Sequence, residues 1–185
     1  MGKVMGRMAE HGDTTEPAGA GAEQAEALSP GQLFYLLHHV VRQRETALTA
    51  LLISADLTLT QWQVLSLLEH VDRATMGEVA ELCATDRTTL TRTVDRMVDD
   101  GLVRRDRAGA DRRQVILELT EAGLVRYEQA YALVGPFNQR LTNFMSPKDF
   151  GFLAKLIRRS LTNVTRDEDW VDDLMSLRIP RAKKP

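Results

Sequence analysis

The most restrictive feature of this sequence is a pair of short helical segments followed directly by two short strands. Residues 75–78 form a Thr-x-x-Glu capping box, which predicts the start of a helix of barely two turns. A break at residues 84–86 precedes a second helix, predicted over residues 87–100. Residues 102–105 and 114–119 then have the pattern of two strands joined by a polar turn. This order is that of a winged helix-turn-helix, whose second helix enters the major groove of DNA.

Long amphipathic helices are predicted on both sides of this lobe. Residues 29–32, Ser-Pro-Gly-Gln, supply a cap, a proline at the first helical position and a glutamine three residues after the cap. Residues 60–63, Thr-Gln-Trp-Gln, predict the start of a second helix that ends near His70. Thr120 caps a long helix, which we expect Gly135-Pro136 to kink because proline removes a backbone hydrogen bond. The lobe is therefore flanked by helical segments at both ends.

The predicted fold class is mainly α with a small β-hairpin wing. Ser146 opens a last long helix, and an acidic segment follows it at residues 170–177. Apolar residues recur at three- and four-residue steps along the flanking helices, so their stripes need a partner. A chain of 185 residues favours one compact domain. The predicted divisions are a flexible tail at 1–28, a single domain at 29–177 with the lobe at 58–120 and flanking helices at 29–55 and 121–165, and a basic tail at 178–185.

The helix predicted over residues 87–100 has one apolar and one polar side. With Leu90, Val94 and Met97 taken as buried, a rotation of 100° per residue places a polar set on the opposite side. Threonine hydroxyls and methyls contact base edges, and arginine binds guanine or phosphate. This side is therefore the predicted DNA-reading surface. Its members are Thr88, Thr89, Arg92, Asp95 and Arg96.

The predicted hairpin is the most basic part of the chain. Residues 102–113 hold five arginines and two aspartates, a local charge of +3, although the whole chain has a net charge of −2. A guanidinium at the tip of such a hairpin can enter a narrow minor groove, where negative potential is concentrated. The predicted wing residues are Arg107, Arg112 and Arg113, with the last two as the leading candidates.

Other classes of protein find little support in the sequence. No apolar run approaches the roughly 20 residues of a membrane span, and no signal-peptide stretch follows Met1. Cys83 is the only cysteine, so a reducing cytoplasm is expected, and its apolar neighbours favour core packing. No nucleophile motif, phosphate loop or metal motif is present, so neither an enzyme nor a cofactor is predicted. His38 and His39 are adjacent and point about 100° apart, which favours packing over metal binding.

The stretch from Leu59 to Gly123 resembles the MarR family of winged helix-turn-helix transcriptional regulators. The resemblance is strongest at residues 86–97, Asp-Arg-Thr-Thr-Leu-Thr-Arg-Thr-Val-Asp-Arg-Met, and in the wing, where Asp111-Arg112-Arg113 and then Leu119-Thr120 match an Asp-x-Arg-x5-Leu-Thr signature. It covers roughly residues 30–165. By this resemblance, Arg92 and Arg113 contact DNA, Asp86 holds an arginine by an ion pair, and Asp111 braces the wing.

The resemblance also implies partners. The flanking helices become dimerisation helices, and a two-fold homodimer implies a palindromic operator with half-sites about one turn apart. Repression, relieved by a small aromatic or phenolic effector, is the expected mode of action. The effector would bind between the dimer helices and the DNA-binding lobe. The predicted pocket residues are His38, His39, Arg42, Trp62, Tyr127 and Tyr131.

Two alternatives stay open on the sequence alone. A winged helix can serve as a protein-interaction module, although such recognition faces tend to be apolar or acidic. A regulator can also bind DNA without any effector. The salt dependence of binding distinguishes a DNA-binding protein from a protein-interaction module, because phosphate contacts release counterions. Ligand-induced thermal stabilisation separates the second.

Overall fold

The computed structural model describes residues 28–107 and 115–176, except for the side chain of Arg107. The chain divides between His39 and Val40, within the first helix, into two compact units, and each is considered on its own. The tip of the wing, the basic tail at 178–185 and residues 1–27 of the predicted flexible tail lie outside the described residues. The helices are α1 (Pro30–Leu52), α2 (Leu59–Val71), α3 (Met76–Leu82), α4 (Arg87–Asp99), α5 (Glu121–Thr142), α6 (Pro147–Thr165) and α7 (Glu168–Ser176); the strands are β1 (Arg73–Thr75), β2 (Val103–Arg107) and β3 (Val115–Leu119), and a 3-10 turn follows α1 at Ile53–Ala55.

Most of the predicted helix starts are confirmed by their caps. The Ser29 amide donates to the Gln32 side chain at 2.8 Å, and the Gln32 amide donates to Ser29 Oγ at 3.2 Å. Thr75 and Glu78 make the same reciprocal pair of hydrogen bonds at α3. Thr120 caps α5, and Ser146 caps α6. Each cap satisfies amides that a helix start leaves without an intrahelical acceptor.

The predicted start of α2 at Thr60 is wrong by two residues. Thr58 is the cap, and its hydroxyl accepts from the Gln61 amide at 3.2 Å. Both Thr58 and Thr60 have a glutamine three residues later, so the pattern alone did not distinguish them. Leu57 and Trp62, the positions of a hydrophobic staple around the earlier cap, are each 6% exposed in one core. Burial of this pair therefore selects the earlier cap.

Two elements were not predicted. β1 makes the sheet three-stranded, in the order β1-β3-β2 with antiparallel pairing. It has only three residues, too few to show alternation, and its last residue, Thr75, is also the cap of α3. The acidic segment after α6 is the helix α7, which buries Val171 and pairs Asp172 with Arg158 at 2.6 Å. Four of its nine residues are acidic, and this charge concealed a short apolar face.

One hydrophobic core supports the lobe. Side chains from α2, α3, α4, the sheet and α5 meet in it, and Leu65, Leu90, Val94, Met97 and Leu117 are all fully buried. α5 continues through Pro136 to Thr142, so the kink predicted there stays a prediction, as do the predicted domain boundaries. In residues 28–107 and 115–176, no single helix is long and apolar enough to cross a membrane, although the bent pair formed by α1 with its 3-10 turn and α2 passes that test together.

Candidate DNA-binding surface

Helix α4 is bounded by a strong signal at each end. Asp86 is its N-cap, and its carboxylate accepts a hydrogen bond from the Thr89 amide at 2.9 Å. This hydrogen bonding lowers the pKa of Asp86 and keeps it an acceptor. At the other end, Gly101 has a φ of 69°, and its amide donates to Val98 O while the Leu102 amide donates to Met97 O. This is a Schellman motif, in which glycine takes the left-handed position without strain.

The two sides of α4 are those expected from its sequence. Leu90, Val94 and Met97 are each 0% exposed and anchor the helix in the core. The opposite side is exposed to solvent and carries threonine hydroxyls and guanidinium groups, as a DNA-reading surface requires. All five predicted residues on this side are exposed: Thr88, Thr89, Arg92, Asp95 and Arg96. Their contacts with DNA stay predictions.

Asp95 lies on the predicted reading side and also contacts the wing. Its carboxylate lies 2.5 Å from Nη1 of Arg105 on β2, and the Arg105 side chain is only 32% exposed. The pair joins α4, the predicted recognition helix, to β2. Arg96 makes a longer pair of 3.9 Å with Asp100 on its own helix, at 77% exposure, and so stays accessible. A carboxylate engaged at 2.5 Å is less available to read a base than Arg92 or Arg96.

Asp86, predicted to hold an arginine, has a different partner among the described residues. Its carboxylate caps α4 and accepts from Thr89 rather than from a guanidinium. The cap position requires Asp86 to face the amides of the first turn, and this orientation determines its contacts. Asp111, Arg112 and Arg113 lie outside the described residues, and so does the side chain of Arg107, so their predicted roles stay predictions.

An ionic row crosses the outer face of the sheet. Glu118 on β3 lies opposite Arg73 on β1 and opposite Arg104 on β2. Its carboxylate lies 2.5 Å from Nε of Arg73 and accepts a 2.8 Å hydrogen bond from Nε of Arg104, which also contacts it through Nη2. The Glu118 side chain is 8% exposed, and hydrogen bonding from Arg104 lowers its pKa. Sequence analysis missed this row because it depends on a three-stranded register.

The residues predicted for the effector pocket fall into two groups. Trp62 and Tyr127 stack with ring centroids 5.3 Å apart and planes 4° from parallel, and Tyr131 lies 5.8 Å from Tyr127. Tyr127 is 4% exposed, and burial together with the nearby Glu69 carboxylate raises its pKa. His38 is exposed and His39 half-buried, with their rings edge to face, and Arg42 is exposed. The structure therefore brings together the aromatic members of the set.

A half-buried arginine on α1 was not among the predicted pocket residues. Nε and Nη2 of Arg44 donate to Oδ1 of Asn138 on α5 at 3.3 and 3.2 Å. Burial lowers the pKa of Arg44, and within residues 28–107 and 115–176 no carboxylate forms an ion pair with it. A surface hollow of about 480 Å³ lies along the end of α5, and neither Arg44 nor Asn138 is among its lining residues, which are Pro136, Gln139, Arg140, Thr142 and Asn143. The neighbouring Glu45 carboxylate opposes the shift in the pKa of Arg44 only in part, so the half-buried guanidinium is incompletely compensated.

Cys83 lies at the end of α3 with 9% exposure, as its apolar neighbours predict. Burial raises the pKa of its thiol to about 11. Across the part of the chain that the structure describes, no three His, Cys, Asp or Glu side chains are placed to hold a metal ion.

The fold and this surface define a winged helix-turn-helix protein. A family model described as the MarR family matches residues 55–114. The chain is 31% identical over 127 residues to the multiple antibiotic resistance protein MarR of Escherichia coli K12, which spans 68% of this chain and 88% of that protein. The chain belongs to the MarR family, which confirms the resemblance found in the sequence.

Solved structures agree with this assignment. A mutant of MarR from E. coli complexed with operator DNA has a TM-score of 0.61 and 31% identity, covering 70% of this chain and 93% of that one. A MarR family transcriptional regulator from Silicibacter pomeroyi has a TM-score of 0.68 and 28% identity, covering 75% of this chain and 96% of that one. The mainly α fold with a winged lobe, predicted from sequence, is therefore confirmed.

Proposed function

We propose that this chain is a cytoplasmic, sequence-specific DNA-binding regulator that represses transcription from a palindromic operator as a homodimer. The observation that carries the proposal is the exposed Thr and Arg side of α4, held on a rigid winged lobe. The operator complex of the similar E. coli MarR supports it. The proposal assigns the chain no catalytic activity and no cofactor.

Homodimerisation is supported by the surface of α6. None of its residues is buried, and one side exposes Phe150, Leu153, Leu156 and Ile157 at 38–47% of their surface. A contiguous apolar stripe of this kind marks a protein-protein interface. In a two-fold dimer the same stripe occurs on both copies, and the two recognition helices contact successive major grooves.

The DNA-binding proposal is tested by titrating the purified protein against the duplex immediately upstream of its own coding sequence, at two salt concentrations and with competitor DNA. We expect specific binding that weakens steeply with salt, because each neutralised phosphate releases counterions. Absence of binding to this duplex and to a genomic fragment library would instead favour a protein-interaction module.

We further propose that a small aromatic or phenolic anion releases the DNA. Arg44 supplies a half-buried cation on α1, bound to Asn138 of α5. The stacked pair Trp62 and Tyr127 is 6% and 4% exposed and lies roughly 16 Å along α5 from Asn138, so this pair belongs to the core and not to the same site. A carboxylate or phenolate gains more from such a desolvated guanidinium than from an exposed one. Arg44 is therefore preferred to the exposed Arg42 as the residue that binds the anionic group.

The effector proposal is tested by thermal unfolding with a panel of benzoates and phenols. A ligand that binds only the folded state raises the melting temperature. We expect Arg44→Gln to abolish the shift and the matched variant Arg42→Gln, two residues away and exposed, to retain it. No shift in wild type with any member of the panel would leave a regulator without this class of effector.

A further inference from the structure

Two consecutive arginines of β2 are bound on opposite faces of the sheet. Successive side chains of a strand point to opposite faces, so Arg104 lies on the outer face and Arg105 on the inner one. Arg104 binds Glu118, the central residue of the ionic row, and Arg105 binds Asp95 on the recognition helix at 2.5 Å. The strand is thus ionically attached both to its own sheet and to α4.

The Glu118 row joins three strands, each of which is adjacent in sequence to a different helix. β1 ends at Thr75, the cap of α3; β2 begins three residues after the C-cap of α4; and β3 is followed by Thr120, the cap of α5. Glu118 contacts an arginine on each outer strand, so one carboxylate fixes the lateral position of both. Cross-strand pairs of opposite charge of this kind stabilise a particular register.

Burial makes this arrangement sensitive to the loss of the carboxylate. Glu118 is 8% exposed, whereas Arg73 and Arg104 are 66% and 59% exposed. A buried carboxylate persists only where its partners compensate for the lost hydration, so its geometry is more restricted than that of a surface pair. Glu118 contacts both guanidinium groups, and Arg104 also lies 3.8 Å from the exposed Asp106 carboxylate on its own strand, a longer contact than either one to Glu118.

We propose that Glu118 is a positioning residue for DNA binding: through Arg73 and Arg104 it fixes the strands at the base of the wing, and the ion pair between Arg105 and Asp95 connects that base to α4. This inference rests on the proposed DNA-binding function. It goes beyond the recognition helix and the wing tip because Glu118 itself need not contact DNA. If only charge matters, removal of this carboxylate should tighten DNA binding; if Glu118 positions the wing, its removal should weaken specific binding. This difference makes the inference testable.

The test compares wild type with Glu118→Gln, Glu118→Asp and the control Asp172→Asn. The control removes the carboxylate partner of Arg158, at 2.6 Å, from α7 and changes the net charge by the same amount as Glu118→Gln. Affinities are measured for the upstream duplex and for an unrelated duplex at one salt concentration, well below the melting temperature of every variant.

We expect Glu118→Gln to weaken specific binding about tenfold, the size of the penalty for one mismatched base pair, while binding to unrelated DNA stays equal or tightens. Glu118→Asp keeps the charge, but its shorter side chain cannot reach both arginines, so it should also weaken specific binding. This variant tests the inference even if Glu118→Gln fails to fold. Asp172→Asn should leave the ratio of specific to non-specific affinity unchanged.

Two results would overturn the inference. One is tighter or unchanged specific binding by Glu118→Gln together with unchanged binding by Glu118→Asp, which is what the change in charge alone predicts. The other is a lower melting temperature with an unchanged affinity ratio, which would restrict Glu118 to a stabilising role. Failure of wild type to bind either duplex would instead contradict the proposed function.

Discussion

At the scale of single residues, Arg92 is the side chain on which recognition of the DNA sequence depends most. It is exposed on α4, and it has no ion-pair partner among the described residues. We expect Arg92→Ala to weaken specific binding by about 1–3 kcal/mol and to relax sequence preference. Arg159→Ala, an exposed arginine on α6, is the matched control for charge. Equal affinities of Arg92→Ala and wild type in a competition titration would disprove this assignment.

A second residue in the lobe, Cys83, should be chemically inert in the folded state. Burial raises the pKa of its thiol to about 11, so only roughly a thousandth is thiolate at pH 8, and the thiolate is the reactive form. Because folding disfavours the thiolate, the stabilisation that the buried neutral thiol contributes is lost as pH rises above the ordinary thiol pKa. We expect alkylation at pH 8 to be slow in the native protein and fast in denaturant. Rapid native alkylation would contradict the assigned burial.

At the scale of elements, the junction of α5 with the wing depends on the absence of one side chain. A Cβ added at Gly123 would lie 2.0 Å from the backbone oxygen of Leu102, whereas one added at Gly151 on α6 meets nothing within 4 Å. We expect Gly123→Ala to destabilise the fold by about 1–3 kcal/mol, since backbone cannot move aside cheaply. Gly151→Ala should stabilise it by about 0.5–1 kcal/mol through helix propensity.

Denaturant unfolding of the two glycine variants measures both effects. They carry the same chemical change at helical positions, so only the surroundings differ. If Gly123→Ala unfolded at the same midpoint as wild type, the close approach of α5 to the start of β2 would be wrong.

At the scale of the whole molecule, the exposed stripe of α6 should control assembly. Ile157 lies on this stripe at 46% exposure, and Lys155 lies on the opposite side of the helix. We expect Ile157→Glu to convert a dimer into monomers, because an unpaired carboxylate in an apolar interface is costly. Lys155→Glu should stay dimeric, and light scattering after size exclusion measures both masses. If both variants stay dimeric, the interface lies elsewhere.

The amino-acid sequence predicted those features of the structure that depend on residues close together in the chain. Caps such as Ser29, Thr75 and Thr120, the apolar side of α4 and the glycine that ends it are local patterns, because a helix start or face depends on residues within a few positions. The choice between Thr58 and Thr60 was not local, since the burial of Leu57 and Trp62 decided it.

Tertiary structure alone decided which polar groups work together. Asp95 reads as a groove-facing residue until β2 places Arg105 2.5 Å from it, and Glu118 reads as an ordinary strand residue until β1 and β2 place an arginine on each side. Arg44 and Asn138 are 94 positions apart and meet only in the folded chain. The sequence by itself determined the helices, the lobe and the chemical character of its reading surface, because these depend on periodicity and capping. The ionic contacts depend on register and packing between distant segments, and only the fold defines those.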